Sequence, residues 1–349
     1  MDRVLRVVVI DDSAYVRKVV REILSRSPFV EVVGTARDGR EGLDVVERLE
    51  PDVVTCDLIM PELDGVGFVR EQMHRRPVPI IIMSIANETA EAALTALDAG
   101  AIDFVQKPTA LASEKIFEVS SELIEKVKAA GNISLNRLST APPPVSVAPK
   151  EPVPRVAGSH TVDLVAIGIS TGGPQALKRL IPQFPDDFPV PIVMVMHMPV
   201  GYTEMYAAKL NEMSPLEVRE AAEGDEIKPG RVFLAPAGRH LKFTRDSKRK
   251  VFAHLDARPF ETLHRPAVDV LFQSAAEVYG KRVLGVVMTG MGSDGKQGAA
   301  WIKAQGGLVF TEAESSCVVY GMPASVLEAG LSDKSVALED MARAIREVA

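Results

Sequence analysis

Short apolar runs alternate with stretches of helical spacing along the first part of the chain. The runs predict strands at 6–10, 30–34, 52–56, 80–83 and 102–105. Between them, apolar residues recur every three or four positions, as in helices that cover one face of a sheet. Five strand and helix units within about 125 residues predict a doubly wound parallel sheet, in which ligands lie at the carboxyl ends of the strands.

The same alternation returns in the last part of the chain. It predicts strands at 164–168, 192–196, 232–235, 283–289 and 308–311, and helices at 174–180, 203–213, 268–279 and 297–305. The section 216–255 is richer in Gly, Pro and short alternating runs, so we expect an antiparallel element in an otherwise parallel sheet. The pattern predicts a second doubly wound α/β domain with a mostly parallel sheet.

A segment without helical or strand periodicity separates the two patterns. It contains APPPVSVAPKEPVP, which holds six of the chain's 24 prolines. Proline fixes φ, so such a segment is extended and semi-rigid. We therefore predict a first domain at 1–130, a Pro-rich linker at 131–160 and a second domain at 161–349.

Composition narrows the possible partners and locations. The formal net charge is −7, which argues weakly against binding to nucleic acid, and neither half of the chain is basic. We find no run of about 18 apolar residues and no charged and then apolar leader, so we expect no membrane insertion, no secretory signal and a cytoplasmic location. Cys56 and Cys317 are the only cysteines, and their positions match neither a disulfide framework nor a Cys-based metal site.

Polar residues with complementary chemistry follow the predicted strands of the first domain. Asp11 and Asp12 follow the first strand, Asp57 the third, Ser84 the fourth and Lys107 the fifth. Carboxylates that converge at one sheet edge repel each other unless a hard cation such as Mg²⁺ lies between them. A phosphoryl group on one Asp could then contact the Lys and the Ser hydroxyl. Each residue alone could be a helix cap or a surface charge, but their joint occurrence predicts a phosphoacceptor site.

Four segments carry a family resemblance in this domain: VVVIDDSAYVRKVV, PDVVTCDLIMPELDG, IIIMSIAN and AIDFVQKP. They resemble the receiver domain of two-component response regulators. The resemblance implies that a histidine kinase phosphorylates Asp57, and that Asp12 and Asp57 bind Mg²⁺, with Asp11 acting through water.

The resemblance also implies residues that sense the phosphoryl group. Ser84 and Lys107 would contact it, and Phe104 matches the switch aromatic of the family, although a buried Phe is an equally good structural explanation. The sequence SIAN departs from the family, which usually has two successive hydroxyl residues at this point. Here only Ser84 remains.

Three motifs of the second domain also end predicted strands: GISTGG carries Ser170, VMVMHMP carries His197 and MTGMGSDG carries Asp294. A serine hydrolase needs an alcohol, a base that takes its proton, and an acid that orients the base. Glycines let backbone approach a substrate closely, and a helix N-terminus favours an oxyanion. Taken singly, GISTGG is equally consistent with a catalytic turn, a strand-to-helix joint or a phosphate-binding turn. A single His at a strand end is more often a structural residue, and an Asp within GSDG is by default a turn residue. Together they predict a hydrolase site.

Two other interpretations of the Ser170 turn fit less well. GISTG satisfies the G-x-S-x-G pattern of α/β-hydrolases, but in those enzymes the acid precedes the histidine, whereas Asp294 follows His197. A dinucleotide site needs G-x-G-x-x-G and an acidic residue at the end of the next strand. GISTGG lacks that spacing, and no acidic residue ends the next predicted strand, near His197. Asp269 is the main rival for the acid, although it falls inside a predicted helix.

The second domain resembles the methylesterase domain of chemotaxis protein-glutamate methylesterases. The resemblance lies in IGISTGGPQAL, MHMPVGYTEMYAAKLN, VFLAPAGRHL, RPAVDVLFQSAA and LGVVMTGMGSDGKQGA. It implies a nucleophile at Ser170, a base at His197 and an orienting acid at Asp294, with Thr171 and the Met291 amide assisting at the oxyanion. It implies no cofactor for the ester chemistry.

This chain departs from the methylesterase pattern beside two of those residues. The family often has Ala before the serine and Gln before the histidine, where this chain has Ile169 and Met196. Neither change replaces a reacting atom, but Met196 removes a possible polar neighbour of the histidine.

A receiver followed by such a domain is the architecture of that family. It implies a hydrolase that is activated by phosphorylation. Its substrates would be glutamate methyl esters, and some glutamines, in the cytoplasmic domains of methylated chemoreceptors, and its phosphodonor a chemotaxis histidine kinase. The competing hypotheses are a DNA-binding regulator, which the charge disfavours, and a pseudoenzyme that only docks on receptors.

Overall fold

The computed structural model describes residues 3–84, 90–107, 115–133 and 161–349, with only the backbone of 115–119. Our linker prediction at 131–160 lies almost wholly outside the described residues. Among the described helices, none combines the length and the apolar character needed to cross a membrane.

The first domain alternates strands and helices, as predicted. Within the described ranges its elements are β1 (Leu5–Ile10), α1 (Ala14–Leu24), β2 (Val30–Ala36), α2 (Gly39–Leu49), β3 (Val53–Asp57), α3 (Gly65–Arg75), β4 (Ile80–Ser84), α4 (Ala90–Asp98), β5 (Asp103–Gln106) and α5 (Lys115–Ala130). The sheet order is β2-β1-β3-β4-β5, and every pairing is parallel. The predicted doubly wound sheet is therefore confirmed, with strand bounds shifted by one or two residues.

Burial and capping explain why these segments fold as they do. Every residue of β3 and β4 is buried, which is why both read as continuous apolar runs. Helices α1, α2 and α3 begin after side chains that accept hydrogen bonds from the first turn, namely Ser13, Asp38 and Asp64. Such a cap stabilises a helix by about 1 kcal/mol.

The second domain contains a larger sheet with helices on both faces. Its strands are β6 (Leu164–Ile169), β7 (Ile192–Met196), β8 (Glu217–Glu220), β9 (Arg231–Leu234), β10 (His240–Arg245), β11 (Val251–Asp256), β12 (Val283–Val287), β13 (Leu308–Glu312) and β14 (Lys334–Val336). Its helices are α6 (Gly173–Leu180), α7 (Thr203–Glu212), α8 (Val268–Tyr279), α9 (Lys296–Ala304), α10 (Met322–Glu328) and α11 (Leu338–Arg346). The sheet order is β14-β13-β12-β6-β7-β9-β8.

The antiparallel element lies outside this sheet, so our prediction for 216–255 was wrong in part. All pairings of the large sheet are parallel, including that of β8 with β9. Strands β10 and β11 form a separate antiparallel hairpin. The hairpin packs on α8, where Ser274 Oγ accepts a hydrogen bond of 2.8 Å from the Phe243 N–H. Apolar residues of the hairpin thus cover a helix and do not extend the sheet.

The strand order determines where a site can form. Strand β6 lies between β12 and β7, and the chain leaves β6 towards β7 on one side while β12 lies on the other. This reversal of strand order is a topological switch point, where parallel α/β sheets bind ligands at their carboxyl ends. Ser170 follows β6 at this point.

Helices α8 and α9 approach closely at Gly298. A Cβ placed on Gly298 would lie 2.5 Å from Phe272 Cβ and 3.0 Å from the backbone of Asp269. The absence of a side chain therefore lets α9 approach the first turn of α8.

We predict that Gly298→Ala destabilises the fold even though Ala is the better helix former. Overpacking of this kind costs about 1–3 kcal/mol, which exceeds the gain of about 1 kcal/mol in helix propensity. Chemical denaturation measures the change. Ala300→Gly on the exposed face of α9 is the control, and it should cost only the propensity difference. A Gly298→Ala variant more stable than the parent would contradict the close approach.

Candidate functional site

Three of the residues predicted to form the phosphoacceptor site of the first domain meet at the carboxyl ends of β1, β3 and β5. Asp57 ends β3 and is buried together with Asp11 and Lys107. Lys107 Nζ lies 2.7 Å from Asp57 Oδ2 and 2.9 Å from Asp11 Oδ2. The ammonium group therefore bridges two carboxylates that would otherwise repel each other.

The electrostatics of this cluster favour a bound cation. Burial raises the pKa of Asp57, the Lys107 ammonium lowers it, and Asp11 raises it, with a net upward shift. Carboxylate oxygens of Asp11, Asp12 and Asp57 lie within 4.8 Å of one another. Three hard oxygen donors at this spacing fit a small divalent cation such as Mg²⁺, whose charge would offset the repulsion.

Ser170 lies in a tight turn between β6 and α6. Its N–H donates to the Thr289 carbonyl over 3.0 Å, and its own carbonyl accepts from the Gly173 N–H over 2.6 Å. Gly172 adopts a positive φ of 79°, a conformation that side chains disfavour, and a Cβ there would lie 2.5 Å from Val318. The sequence GISTGG thus supplies its glycines where the backbone turns sharply.

His197 and Asp294 lie together beside this turn. The His197 N–H donates to the Ile169 carbonyl over 3.3 Å, because β7 neighbours β6. His197 Nε2 is 2.8 Å from Asp294 Oδ2, and Asp294 also accepts from the N–H groups of Val268 (2.8 Å) and Asp269 (2.9 Å). Although burial acts to raise the pKa of Asp294, the His197 contact and the two backbone donors lower it to about 2.

The ionised Asp294 determines the tautomer of the histidine. A carboxylate only accepts hydrogen bonds, so Nε2 carries the proton and Nδ1 is left unprotonated in the neutral ring. Nδ1 is buried and has no hydrogen-bond partner among the described residues. His197 therefore presents a free basic nitrogen, although no hydrogen bond to Ser170 Oγ is formed within the described part of the chain.

The residues predicted to assist at an oxyanion are Thr171 and Met291. Within the described ranges, the backbone N–H groups of Thr171 and Met291 have no acceptor. Met291 follows β12, which pairs with β6, so the second glycine-rich turn reaches the first. The two departures from the family pattern, Ile169 and Met196, are both fully buried and pack in the core.

Asp269, the rival for the acid, supports the site from behind. Its Oδ1 accepts from the N–H groups of Gly295 (2.9 Å) and Gly298 (2.7 Å). Within the described chain, the carboxylate that is hydrogen-bonded to His197 is that of Asp294. Burial, opposed by these backbone donors and reinforced by Asp294, raises the pKa of Asp269 to about 6. Asp269 therefore holds the loop that carries Asp294.

Two neighbours of the site, His264 and Glu312, were not predicted from the sequence. The ring of His264 stacks on that of His197, with centroids 3.9 Å apart. Glu312 is fully buried, and its Oε2 accepts from the Thr289 N–H over 2.9 Å, below the Ser170 turn. The only available signals were a histidine in the irregular stretch ETLHRP and an acidic residue directly after the strand predicted at 308–311.

The first domain covers the edge of this site through a buried polar network. Thr171 Oγ1 donates to Asp103 Oδ2 over 2.5 Å, and Lys126 Nζ lies 3.1 Å from Asp103 Oδ1 and 3.1 Å from Glu122. Burial lowers the pKa of Lys126, but the two carboxylates raise it by more, so the ammonium stays charged. The residue after Ser170 is thus bound by the first domain.

Two of the three predicted switch residues, Ser84 and Phe104, contact a single residue of the second domain, whereas Lys107 contacts Asp11 and Asp57. Tyr202 is almost fully buried; its hydroxyl is hydrogen-bonded to Ser84 Oγ, and its ring stacks on Phe104 with centroids 4.9 Å apart. At the rim, Asp98 of α4 forms ion pairs with Lys178 and Lys209. The α4 and β5 face therefore packs against the second domain.

Comparisons with known proteins agree with this architecture. The family model CheB methylesterase matches residues 165–345, and the model Response regulator receiver domain matches 7–118. The protein-glutamate methylesterase/protein-glutamine glutaminase 5 of Myxococcus xanthus (strain DK1622) is 49% identical over 343 residues, which cover 98% of this chain and 97% of that protein. A protein named protein-glutamate methylesterase/protein-glutamine glutaminase from Symbiobacterium thermophilum is 43% identical over 355 residues, 99% of this chain and 97% of that one.

A solved structure extends the likeness to the fold. The CheB methylesterase catalytic domain of Thermotoga maritima is 42% identical, with a TM-score of 0.53, and the match covers 54% of this chain and 99% of that chain. The matching family model spans more than half of the chain, and the curated relatives match over nearly all of it. The chain therefore belongs to the CheB methylesterase family and carries a response regulator receiver domain.

Proposed function

We propose that the chain is a phosphorylation-activated protein-glutamate methylesterase that also deamidates glutamine side chains. One observation carries the proposal: Ser170, His197 and Asp294 follow three adjacent parallel strands, and an ionised Asp294 holds the His197 ring by its Nε2. The names of the relatives from Myxococcus xanthus and Symbiobacterium thermophilum support the substrate class.

The proposed reaction begins with attack by Ser170 Oγ on the carbonyl carbon of a glutamate methyl ester. His197 Nδ1 takes the hydroxyl proton, and Asp294 stabilises the resulting imidazolium. The carbonyl oxygen becomes an oxyanion that accepts from the N–H groups of Thr171 and Met291. The imidazolium then protonates the departing methoxide, which leaves as methanol.

Water completes the cycle. His197 Nδ1 deprotonates a water molecule that attacks the acyl-serine, and this proton moves to Ser170 Oγ as the bond between the acyl carbon and Oγ breaks. The released glutamic acid side chain then loses its proton to solvent and becomes the carboxylate. A glutamine substrate passes through the same acyl-enzyme and releases ammonia in place of methanol.

The first domain would inhibit this reaction by occupying Thr171. Its Oγ1 is bound to Asp103 directly beside Ser170, so a receptor segment cannot approach the turn from that side. Catalytic hydrogen bonds that are absent without substrate often form only when a substrate closes the site. We assign the missing Ser170 to His197 bond to this closed, unliganded arrangement.

Phosphorylation of Asp57 would weaken the packing of the first domain on the second through Ser84. Asp57 and Ser84 end neighbouring strands, so a phosphoryl group on Asp57 competes with Tyr202 for the Ser84 hydroxyl. Asp11, Asp12 and Asp57 would hold Mg²⁺, which supplies charge neutralisation for phosphoryl transfer. A chemotaxis histidine kinase would be the phosphodonor, and methylated chemoreceptor cytoplasmic domains the substrates.

We predict that Ser170→Ala and His197→Ala each reduce methanol release from a methylated receptor fragment by about 10³-fold or more, because they remove the nucleophile and its base. Asp294→Ala should be less severe. A serine-directed inhibitor followed by peptide mapping provides an independent check, with label expected at Ser170. Near-normal turnover by Ser170→Ala, or label at another serine, would overturn the assignment.

Asp269→Asn should distinguish the role of Asp269, which supports the loop, from that of Asp294, which orients His197. Asn can still accept from Gly295 and Gly298, so we expect methanol release to stay within a few-fold of the parent, whereas Asp294→Asn loses about 10²- to 10⁴-fold. The raised pKa of Asp269 means that the folded parent loses stability as pH rises from about 4 to about 6. Asp269→Asn should remove that slope, on the order of 1 kcal/mol after solvent screening.

Denaturant unfolding at several pH values measures how the free energy of unfolding of the parent and of Asp269→Asn depends on pH. An Asp269→Asn variant with the parental slope, or one as inactive as Asp294→Asn, would show that Asp269 does more than hold the loop.

Tyr202→Phe should raise the activity of the unphosphorylated protein. The variant keeps the ring on Phe104 but loses the hydrogen bond to Ser84, worth about 0.5–1.5 kcal/mol, which corresponds to about a 2- to 10-fold shift toward the open form. Methanol release is measured with and without a small phosphodonor and Mg²⁺. Asp57→Asn should show the same low rate under both conditions.

Tyr206→Phe is the matched control, because its hydroxyl is buried in the same region but donates to the Pro174 carbonyl of its own domain over 2.8 Å. It should leave the activation ratio unchanged. If Tyr206→Phe raised basal activity as much as Tyr202→Phe, or if Asp57→Asn responded fully to the phosphodonor, the coupling scheme would fail.

A further inference from the structure

We propose that His264 is a positioning residue that fixes the ring of His197, an inference that rests on the proposed function. The face of the His197 imidazole lies on the His264 ring, with centroids 3.9 Å apart and planes inclined by 21°. Asp294 holds one edge of the same imidazole through Nε2. A stacked ring on one face and a carboxylate on one edge together restrict rotation about both side-chain torsions.

The hydrogen bond to Asp294 alone leaves one motion open. An imidazole that is anchored at Nε2 can still tilt about that contact, because Nδ1 has no partner among the described residues to oppose it. The His264 ring blocks the tilt on its side. A tilt of this kind would move Nδ1 relative to Ser170, and a displacement of about 1 Å costs about 10²-fold in rate.

The loop that carries His264 is itself held in place by hydrogen bonds. The segment between β11 and α8 is fixed near both ends by His240, which is fully buried. His240 Nε2 lies 3.0 Å from the Pro259 carbonyl, and its Nδ1 accepts from the Ala267 N–H over 3.2 Å. The loop therefore presents His264 from a rigid frame.

The surrounding charges keep His264 neutral. Burial, the adjacent His197 and the Lys126 ammonium of the first domain lower its pKa to about 3, while Asp294 acts in the opposite direction. Asp269 lies behind Asp294. The loop itself carries Arg258, Glu261 and Arg265, and His240 supports it. A neutral ring can stack against His197 in both of its protonation states without repelling the imidazolium that catalysis forms.

A neutral, stacked His264 differs from an acid or base in what a substitution should do. If the ring acts by stacking, a flat ring without nitrogens should replace it. If a nitrogen of His264 moves a proton or binds substrate, Phe should be as harmful as Ala. His264→Phe and His264→Ala therefore distinguish the two roles.

The test compares these variants in the full-length protein treated with a phosphodonor and Mg²⁺. We expect His264→Ala to lower kcat for methanol release by about 10- to 100-fold with KM within about twofold, and His264→Phe to keep kcat within about threefold. The control is His254→Ala in the same domain, because His254 is partly exposed and pairs with Glu223 over 3.0 Å. It should leave both parameters unchanged.

A second readout is independent of any activity. The ¹⁵N spectrum of the His197 ring reports its tautomer, and we expect one Nε2–H species in the parent and in His264→Phe but exchange-broadened or mixed signals in His264→Ala. A single, sharp tautomer in His264→Ala would overturn the proposal, as would equal loss of kcat in His264→Phe and His264→Ala. If the parent protein itself released no methanol, the proposed function would be refuted instead. The ¹⁵N spectra of the His197 ring would still show whether His264 positions that ring.

Discussion

The ionised carboxylate of Asp294 makes the contacts on which the proposed esterase site depends. It accepts from the His197 ring and from two N–H groups at the first turn of α8, so one side chain joins a strand end, a loop and a helix. Leaving such a buried charge unpaired is costly, which makes the three elements mutually dependent. Asp269 and Gly298 extend this dependence to α9, and a disturbance of helix packing far from Ser170 would reach the base through this route.

The contacts between the two domains lie directly beside the turn that carries Ser170. Thr171 is bound to Asp103, and Tyr202 contacts both Ser84 and Phe104. No long chain of intermediates separates the phosphoacceptor strand ends from the nucleophile turn. The interface combines these polar contacts with apolar packing, because Tyr202 and buried residues of α4 belong to one hydrophobic cluster.

Much of the architecture was predictable because buried parallel strands leave an unmistakable apolar pattern. The sequence motifs also indicated which strand ends carry Ser170, His197 and Asp294, and the strand order brings those ends together. The hairpin was misplaced because alternation shows which face of a strand is apolar, not which element it covers. His264 and Tyr202 could not be predicted as neighbours of the sites, because stacking contacts depend on loop paths and domain packing that have no local signal.

The use of Thr171 by the first domain has a consequence for the response of the enzyme. If the receiver and a receptor segment compete for the same turn, as proposed, dense substrate can displace the receiver by mass action, even when Asp57 is not phosphorylated. By the same linkage, bound substrate favours the phosphorylated form of the receiver. An array of closely spaced receptors would therefore act as a second input to the enzyme, and the enzyme would integrate kinase activity with local substrate density.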